Sequence, residues 1–374
     1  MKIAVSGDCL SVFTSAYPVR GMLLELIKLR KDDTFIIFYT RRPKPQVLAP
    51  FFETLHSLPN VNIQYFGCSK YIVGLLRFFT LSNYIRLDHT FDVFLNPSYL
   101  EYIRCFRGLQ ICNVTDLSIL HSQASIPHPT IWKWQNKFAK AFYFKRKDLQ
   151  VVSISHYTEQ DIRRSFKEVN CKIKVVYNGI DNFWFDNQFA TNSVTLKYAT
   201  ESYFIWWGYI SRRKNLLNLI GAYKQAFSKN PLLPKLMIIG NIAPHMQQSI
   251  TPLLNDEQII HLPFQDEYTL KTLVRRSKGL LFPSNYEGFG LPVIEAFSQG
   301  VQVACSNVTS LPEVAANNAL LFPPGDIEKI QEVILEMDKP IDDSCRKSLI
   351  AYAHRFSYRN AALAYNELIE QASV

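Results

Sequence analysis

The stretch FPSNYEGFGLPVIEAFSQG, Phe282 to Gly300, decides the fold. Apolar Leu280-Leu281-Phe282 reads as the end of a buried strand, and Gly288 and Gly290 as a loop of little side-chain bulk. Pro292 fits the first turn of a helix, where its missing N–H costs nothing. The spacing predicts a helix from Val293 to Gln299 that stops at Gly300. Backbone N–H groups at a helix N-terminus beside a small-residue loop favour phosphate. Two carboxylates flank this start: Glu287 on the loop, and Glu295 about one turn into the helix, with seven residues between them. One carboxylate can accept hydrogen bonds from sugar hydroxyls and the other from a ribose diol. A nucleotide sugar would use the loop and both carboxylates together. The bland alternative is a strand-to-helix turn with two solvated glutamates.

Working outward, apolar β-rich runs alternate with helical patterns. The first series is Ile3–Val5, Thr34–Tyr39, Val93–Asn96, Leu109–Val114, Leu149–Ser153 and Lys174–Tyr177. The second is Ser202–Trp207, Lys235–Ile239, Gln258–His261, Gly279–Phe282, Gln302–Cys305 and Ala319–Phe322. Between them lie helical patterns such as Arg20–Arg30, Tyr157–Phe166 and Leu216–Phe227. The alternation predicts an α/β protein with two doubly wound parallel sheets. A boundary is expected within Asp181–Ser202, where periodicity is weak. The 374-residue length and 48% hydrophobic content suit two cores.

The second landmark is Gly208-Tyr209-Ile210-Ser211-Arg212-Arg213-Lys214-Asn215, which follows one strand and opens a helix. Three cations at a helix N-terminus repel one another unless an anion sits among them. A diphosphate would supply that anion through charge-assisted hydrogen bonds.

Together these stretches resemble the retaining GT-B glycosyltransferases of family 4 (GT4), whose signature is E-x7-E. The resemblance covers most of residues 110–326 and is densest over 279–326. It implies two Rossmann-like domains: 1–181 for the acceptor, joined by the C-terminal helix 356–374, and 182–355 for the donor. It also implies an active site between the two sheets. Glu287 would hold the sugar hydroxyls and orient the anomeric carbon, and Glu295 the ribose. Lys214 and Arg213, in a turn similar to the family's G-x-x-x-x-R-K-N, would neutralise the leaving diphosphate. Relatives carry Arg directly after the glycine; here Tyr209 stands there, which brings Arg212 into consideration. Gly208, Gly288, Phe289, Gly290 and Leu291 would line the donor. Asn113-Val114-Thr115-Asp116-Leu117 resembles the family's T-x-H-D-L, with Thr115 at the histidine that contacts the donor sugar and Asp116 kept. Thr115 can hydrogen-bond a sugar but carries no proton as imidazole does, and His121 and His156 are candidates to replace it in space. Val176-Tyr177-Asn178-Gly179-Ile180-Asp181 resembles the P-N-G-V-D linker and reads as a hinge. Ser155 reads as the N-cap of the helix that follows it. Glu313, in a segment similar to S-x-x-P-E, reads as a brace for its loop. The N-terminal loop, with Gly7 and Gly21, is poorer in glycine than in relatives. The resemblance implies no metal and no cofactor beyond the nucleotide-diphosphate sugar itself, and the chain has no D-x-D element.

The charge is lopsided. The chain carries +9 overall, but residues 1–180 carry +11 and the remainder −2. The basic half is expected to face something acidic. Within it, IWKWQNKFAKAFYFKRK, Ile131 to Lys147, interleaves aromatic rings with Lys and Arg. A helix with that face would lie on an anionic bilayer surface, or would be a core helix with a solvated basic side. Seven scattered cysteines with no C-x-x-C favour a reducing compartment over a disulfide framework or zinc site. The expected place is the cytoplasm, peripheral to the inner face of the cytoplasmic membrane. The expected activity is metal-independent, retaining transfer of a hexose, with GDP-mannose the first donor. The acceptor is a glycan, lipid-linked, in bacterial O-antigen or capsule-type assembly. The alternatives are a UDP- or dTDP-sugar transferase of the same fold, or a non-catalytic sugar- or RNA-binding GT-B protein. No nucleic-acid partner is expected.

Overall fold

Hydrophobic runs too short for helices, set between helical segments, collapse into parallel sheets because each crossover helix covers a sheet face. In the computed structural model, which describes residues 1–11, 17–39, 45–65, 91–98, 108–121 and 144–371, this gives two sheets in two units. One unit comprises Met1–Leu120, His128–Gly179 and Phe356–Val374, the other His121–Pro127 and Ile180–Arg355.

The first unit's strands are β1 (Lys2–Ser6), β2 (Thr34–Tyr39), β3 (Val61–Tyr65), β4 (Val93–Asn96), β5 (Leu109–Val114), β6 (Leu149–Ser153) and β7 (Lys172–Val175), in the order β3-β2-β1-β4-β5-β6-β7. All pair in parallel, with Val5 in register with Ile37 on one side and Leu95 on the other. Ile3, Val5, Ile37, Leu95 and Ile111 pack against Leu23 and Leu26 of helix Tyr17–Leu29 and Ala362 and Ile369 of helix Tyr358–Gln371. Each such Val, Leu or Ile side chain, fully buried, contributes roughly 1.5–3 kcal/mol. Gly21, counted with the N-terminal loop but also inside the expected helical pattern Arg20–Arg30, is inside the first of these helices. A Cβ there would fall 2.0 Å from the Tyr358 ring, so glycine lets the two helices close together. Gly179 plays a similar part: its Cβ would meet the Ser357 backbone at 2.3 Å.

The second unit's strands are β8 (Tyr203–Trp207), β9 (Lys235–Ile239), β10 (Ile259–Leu262), β11 (Gly279–Phe282), β12 (Val303–Ser306) and β13 (Ala319–Phe322), in the order β10-β9-β8-β11-β12-β13. They too are parallel. Strand order reverses between β8 and β11, a topological switch point whose crevice at the strand C-termini is where such sheets take ligands. Both sequence landmarks follow these two strands.

Three differences from the sequence reading have simple causes. β3 was not expected; its residues are mostly exposed, and an edge strand needs no apolar run. β7 lies two residues earlier than expected, because its alternating Lys-Ile-Lys-Val pattern has only one half-buried side. The helix after β11 runs Leu291–Ser298, starting two residues before the expected Val293, with Gly290 at its N-cap.

The aromatic-basic segment falls mostly outside the described residues, at 131–143. Its end is described: Phe144 is fully buried, its ring centroid 4.7 Å from that of Phe166, and Lys145 and Arg146 pair with Glu168 and Asp148. Among the described residues no helix is long and apolar enough to cross a membrane.

Candidate active site

The site is built on the loops after β8 and β11. β8 ends in Trp207, and the chain turns at Gly208, whose φ of 143° suits glycine. The neighbouring loop after β9 presses on it so closely that a Cβ on Gly240 would lie 1.9 Å from the Gly208 carbonyl oxygen. Arg212–Lys214 then form a single tight turn, and Asn215 adopts a left-handed φ of 57° to launch helix Leu216–Lys229. Asparagine tolerates that conformation. Its side chain also donates to the Pro324 carbonyl at 2.7 Å, joined by Asn218 at 3.1 Å. The R-R-K-N turn is thereby tied to the Phe322–Asp326 turn.

The loop after β11 is joined to this turn by Asn285 N–H, which donates to the Arg213 carbonyl at 2.8 Å. Arg213 Nη1 donates to the Tyr286 carbonyl at 2.6 Å and to Glu287 Oε2 at 2.8 Å. Lys214 Nζ donates to Glu287 Oε1 at 2.7 Å and stands 4.9 Å from the centre of the Phe282 ring. Glu287 and Lys214 are 8% and 9% exposed. Burial alone would raise the Glu287 pKa, but the Arg213 and Lys214 charges outweigh it and hold the carboxyl down at about 2.

Glu295 lies 9% exposed in the next helix and meets a different environment. Trp207 Nε1 donates to its Oε2 at 3.1 Å. Burial pushes its pKa up to about 7; the Glu267 charge adds to the rise, while the Trp207 hydrogen bond and Lys214 oppose it.

The structure thus brings Glu287, Arg213 and Lys214 into one cluster, with Gly288, Phe289, Gly290 and Leu291 forming the adjoining loop and helix start. The turn at Gly208 places Trp207 against Glu295. Arg212 is exposed and stays out of the Glu287 cluster. Thr115 and Asp116 lie in the first unit, where Asp116 Oδ1 accepts from Ser118 N–H at 2.9 Å and Ser118 Oγ at 2.6 Å and so caps a short turn. His156 is largely exposed, whereas His121 falls within the second unit, its ring centroid 5.2 Å from that of Tyr286. Ser155 caps its helix as expected, accepting from Thr158 N–H at 3.0 Å.

Two residues missed in the sequence hold the glutamate loop. Thr309 Oγ1 accepts from the Glu287 N–H at 3.1 Å, and Ser310 Oγ lies 2.9 Å from the carbonyl oxygens of both Glu287 and Phe289. Thr309 has φ of 58°, a strained setting for a β-branched residue. Leu311 Cδ2 would touch a Cβ on Gly290 at 2.6 Å, so segment 309–311 fits against the loop without slack. Thr309 stands at the first position of the segment similar to S-x-x-P-E, but its role comes from the approach of the loop after β12, which the sequence does not show.

Comparison with known proteins agrees with this architecture. Residues 188–355 match the family described as glycosyl transferases group 1. The chain is similar over its whole length to the crystal structure of HepE from Anabaena in complex with UDP (TM-score 0.69, 16% identity, 99% of this chain and 100% of that one). It therefore has the GT-B fold, and residues 188–355 in its second half are similar to the group 1 glycosyl transferases. Among sequences, it is 33% identical over 169 residues to the O-antigen chain mannosyltransferase B of Escherichia coli, 43% of this chain and 44% of that protein. The chain thus spans less than half the length of that relative. A longer alignment, 22% identical over 84% of this chain and 81% of the other, is with the GDP-mannose:cellobiosyl-diphosphopolyprenol alpha-mannosyltransferase of Xanthomonas oryzae pv. oryzae.

Proposed function

We propose that the protein is a retaining glycosyltransferase of the GT4 type that moves a hexose from a nucleotide-diphosphate sugar to a glycan acceptor on a lipid carrier. The observation that carries this reading is the junction of Glu287, Arg213 and Lys214 with the start of helix Leu291–Ser298. Two cations and a helix N-terminus suit a diphosphate whose charge grows as its bond to the sugar breaks. Preorganised groups of this kind are often the largest single source of rate. Glu287 would accept hydrogen bonds from the sugar hydroxyls and Glu295 from the ribose diol. In this reading the acceptor hydroxyl attacks from the face the diphosphate leaves, and the departing phosphate oxygen takes its proton. Neither step routes through a metal.

GDP-mannose is the first donor. It is favoured by the names of the mannosyltransferase relatives, one of which uses a GDP-mannose donor and a diphosphopolyprenol acceptor. A UDP-sugar is the second, because HepE binds UDP on the same fold. The acceptor would be a growing surface polysaccharide, with the protein peripheral to the inner face of the cytoplasmic membrane.

Calorimetric titration of the purified chain with GDP, UDP and dTDP, in EDTA, tests the reading. Selective binding of one nucleotide is expected and reduces the donor panel to its sugars, whose anomeric product NMR then assigns. Binding of none would point to a non-catalytic protein on this fold.

A further inference from the structure

The cations that would take the diphosphate are engaged by a carboxylate of the chain itself. Each carboxylate oxygen of Glu287 faces one of them, Oε1 on Lys214 Nζ at 2.7 Å and Oε2 on Arg213 Nη1 at 2.8 Å. All three side chains are withdrawn from water, at 10%, 11% and 25% exposure for Glu287, Lys214 and Arg213. Two like charges this close in a poorly hydrated place need a counter-charge, and Glu287 supplies it from within the chain.

We propose that Glu287 is the built-in counter-anion of Lys214 and Arg213, which a nucleoside diphosphate must displace from them in order to bind. This rests on the donor-site reading above and adds a competition to it. The displacement has a second consequence. A carboxylate released from its cations is left buried and needs new hydrogen-bond donors. The hydroxyls of a donor sugar are such donors. A nucleoside diphosphate alone takes the cations and leaves Glu287 short of partners, whereas a nucleotide sugar takes the cations and satisfies Glu287 at once. The exchange therefore discriminates the loaded donor from the spent nucleotide and assists product release. Glu287 would then act twice, as a sugar-holding group when the site is full and as an internal competitor when it is empty.

If Glu287 did no more than hold the sugar, Glu287→Gln would abolish transfer and leave nucleotide affinity nearly unchanged. The two ion pairs alter the second half of that expectation. Removing the competing charge should tighten binding of ligands that carry the diphosphate and no sugar.

Calorimetry with inorganic pyrophosphate, and with GDP and UDP, on the wild type, Glu287→Gln, Glu287→Asp and Glu295→Gln tests this. The expected result is pyrophosphate affinity at least tenfold higher in Glu287→Gln and intermediate in Glu287→Asp, whose shorter side chain pairs less well. Glu295→Gln, which removes a carboxylate that makes neither ion pair, should change it less than threefold; an equal gain there would mean general charge repulsion and overturn the competition. Unchanged or weaker pyrophosphate binding in both Glu287 variants would also overturn it, while nucleotide binding by the wild type would leave the donor-site reading standing. If the wild type binds no nucleotide and the Glu287 variants bind no pyrophosphate, both readings fall. Should Glu287→Gln not fold, Glu287→Asp carries the comparison alone.

Discussion

Glu287 and Glu295 are the same residue type, eight positions apart, buried to nearly the same depth in one continuous loop and helix. Their acidities are driven in opposite directions, to about 2 and to about 7. The desolvation cost acts on both, so the neighbours decide the outcome. Glu287 lies between two full positive charges. Glu295 has one indole N–H and a distant lysine, set against the charge of Glu267. A motif that reads as symmetrical in sequence therefore contains one carboxyl that is always ionised near neutrality and one that is poised to change charge there.

The largest effect should come from the cation side of this pair. Lys214→Ala should lower transfer on the order of 100- to 1000-fold, the loss typical when one preorganised charge stabiliser is removed. Turnover of the donor identified by calorimetry measures it. A loss below tenfold would move the diphosphate chemistry away from Lys214.

The pH dependence of stability separates the two glutamates next. Glu287 has a folded pKa below the ordinary 4.5, so its contribution is fully present above 4.5 and is lost as pH falls towards 2. Glu287→Gln should accordingly be less stable than wild type by about 3 kcal/mol at pH 7, with the gap closing in acid. Glu295 has a folded pKa above 4.5, so the folded state holds its proton more tightly than the unfolded chain. The stability this gives is present below 4.5 and is lost as pH rises through about 7. Glu295→Gln should therefore match wild type below 4.5 and exceed it by up to about 3 kcal/mol above 7. Denaturant unfolding across this pH range reads both; parallel curves for the two variants would mean that the environments are not opposed. A smaller effect follows from Trp207→Phe, which removes the hydrogen bond to ionised Glu295 and should shift the midpoint of its titration upward, as seen by carboxyl NMR.

The sequence made one half of this comparison legible and hid the other. β8 and β11, with the loops that follow them, were readable because buried parallel strands are continuous apolar runs bounded by glycine, and because Arg213, Lys214 and Glu287, each with a bland reading when taken alone, occur together in the order of one motif set. The pairing of Glu287 with both cations was not readable. It depends on the switch point bringing together two loops more than 70 residues apart, sewn by Asn285 N–H to the Arg213 carbonyl. Trp207 was hidden for another reason: as the last residue of an apolar strand it reads as core, and only the structure shows its indole N–H directed at Glu295. Arg212 looked equivalent to its neighbour on paper, and the tight turn Arg212–Lys214 turns it to the exposed side instead. Edge strands β3 and β7 were missed or misplaced because exposure on one side removes the apolar signal on which strand reading depends.

The smallest predicted effect probes what holds Glu287 in its place between the two cations. Thr309 sits at φ of 58°, which costs a β-branched residue about 1–2 kcal/mol. Glycine would relieve that strain but would lose the Oγ1 that accepts the Glu287 N–H, a bond worth about 1 kcal/mol. The two changes nearly cancel, so Thr309→Gly should alter stability by less than about 1 kcal/mol. Function should not cancel in the same way. A looser loop lets the carboxylate wander from its two cations, and kcat should fall by several-fold while Thr309→Ser, which keeps the acceptor, stays near wild type. Equal rates in T309G and T309S would mean that Ser310 and the packing of Leu311 on Gly290 suffice to place Glu287, and that the strained threonine has no part in it.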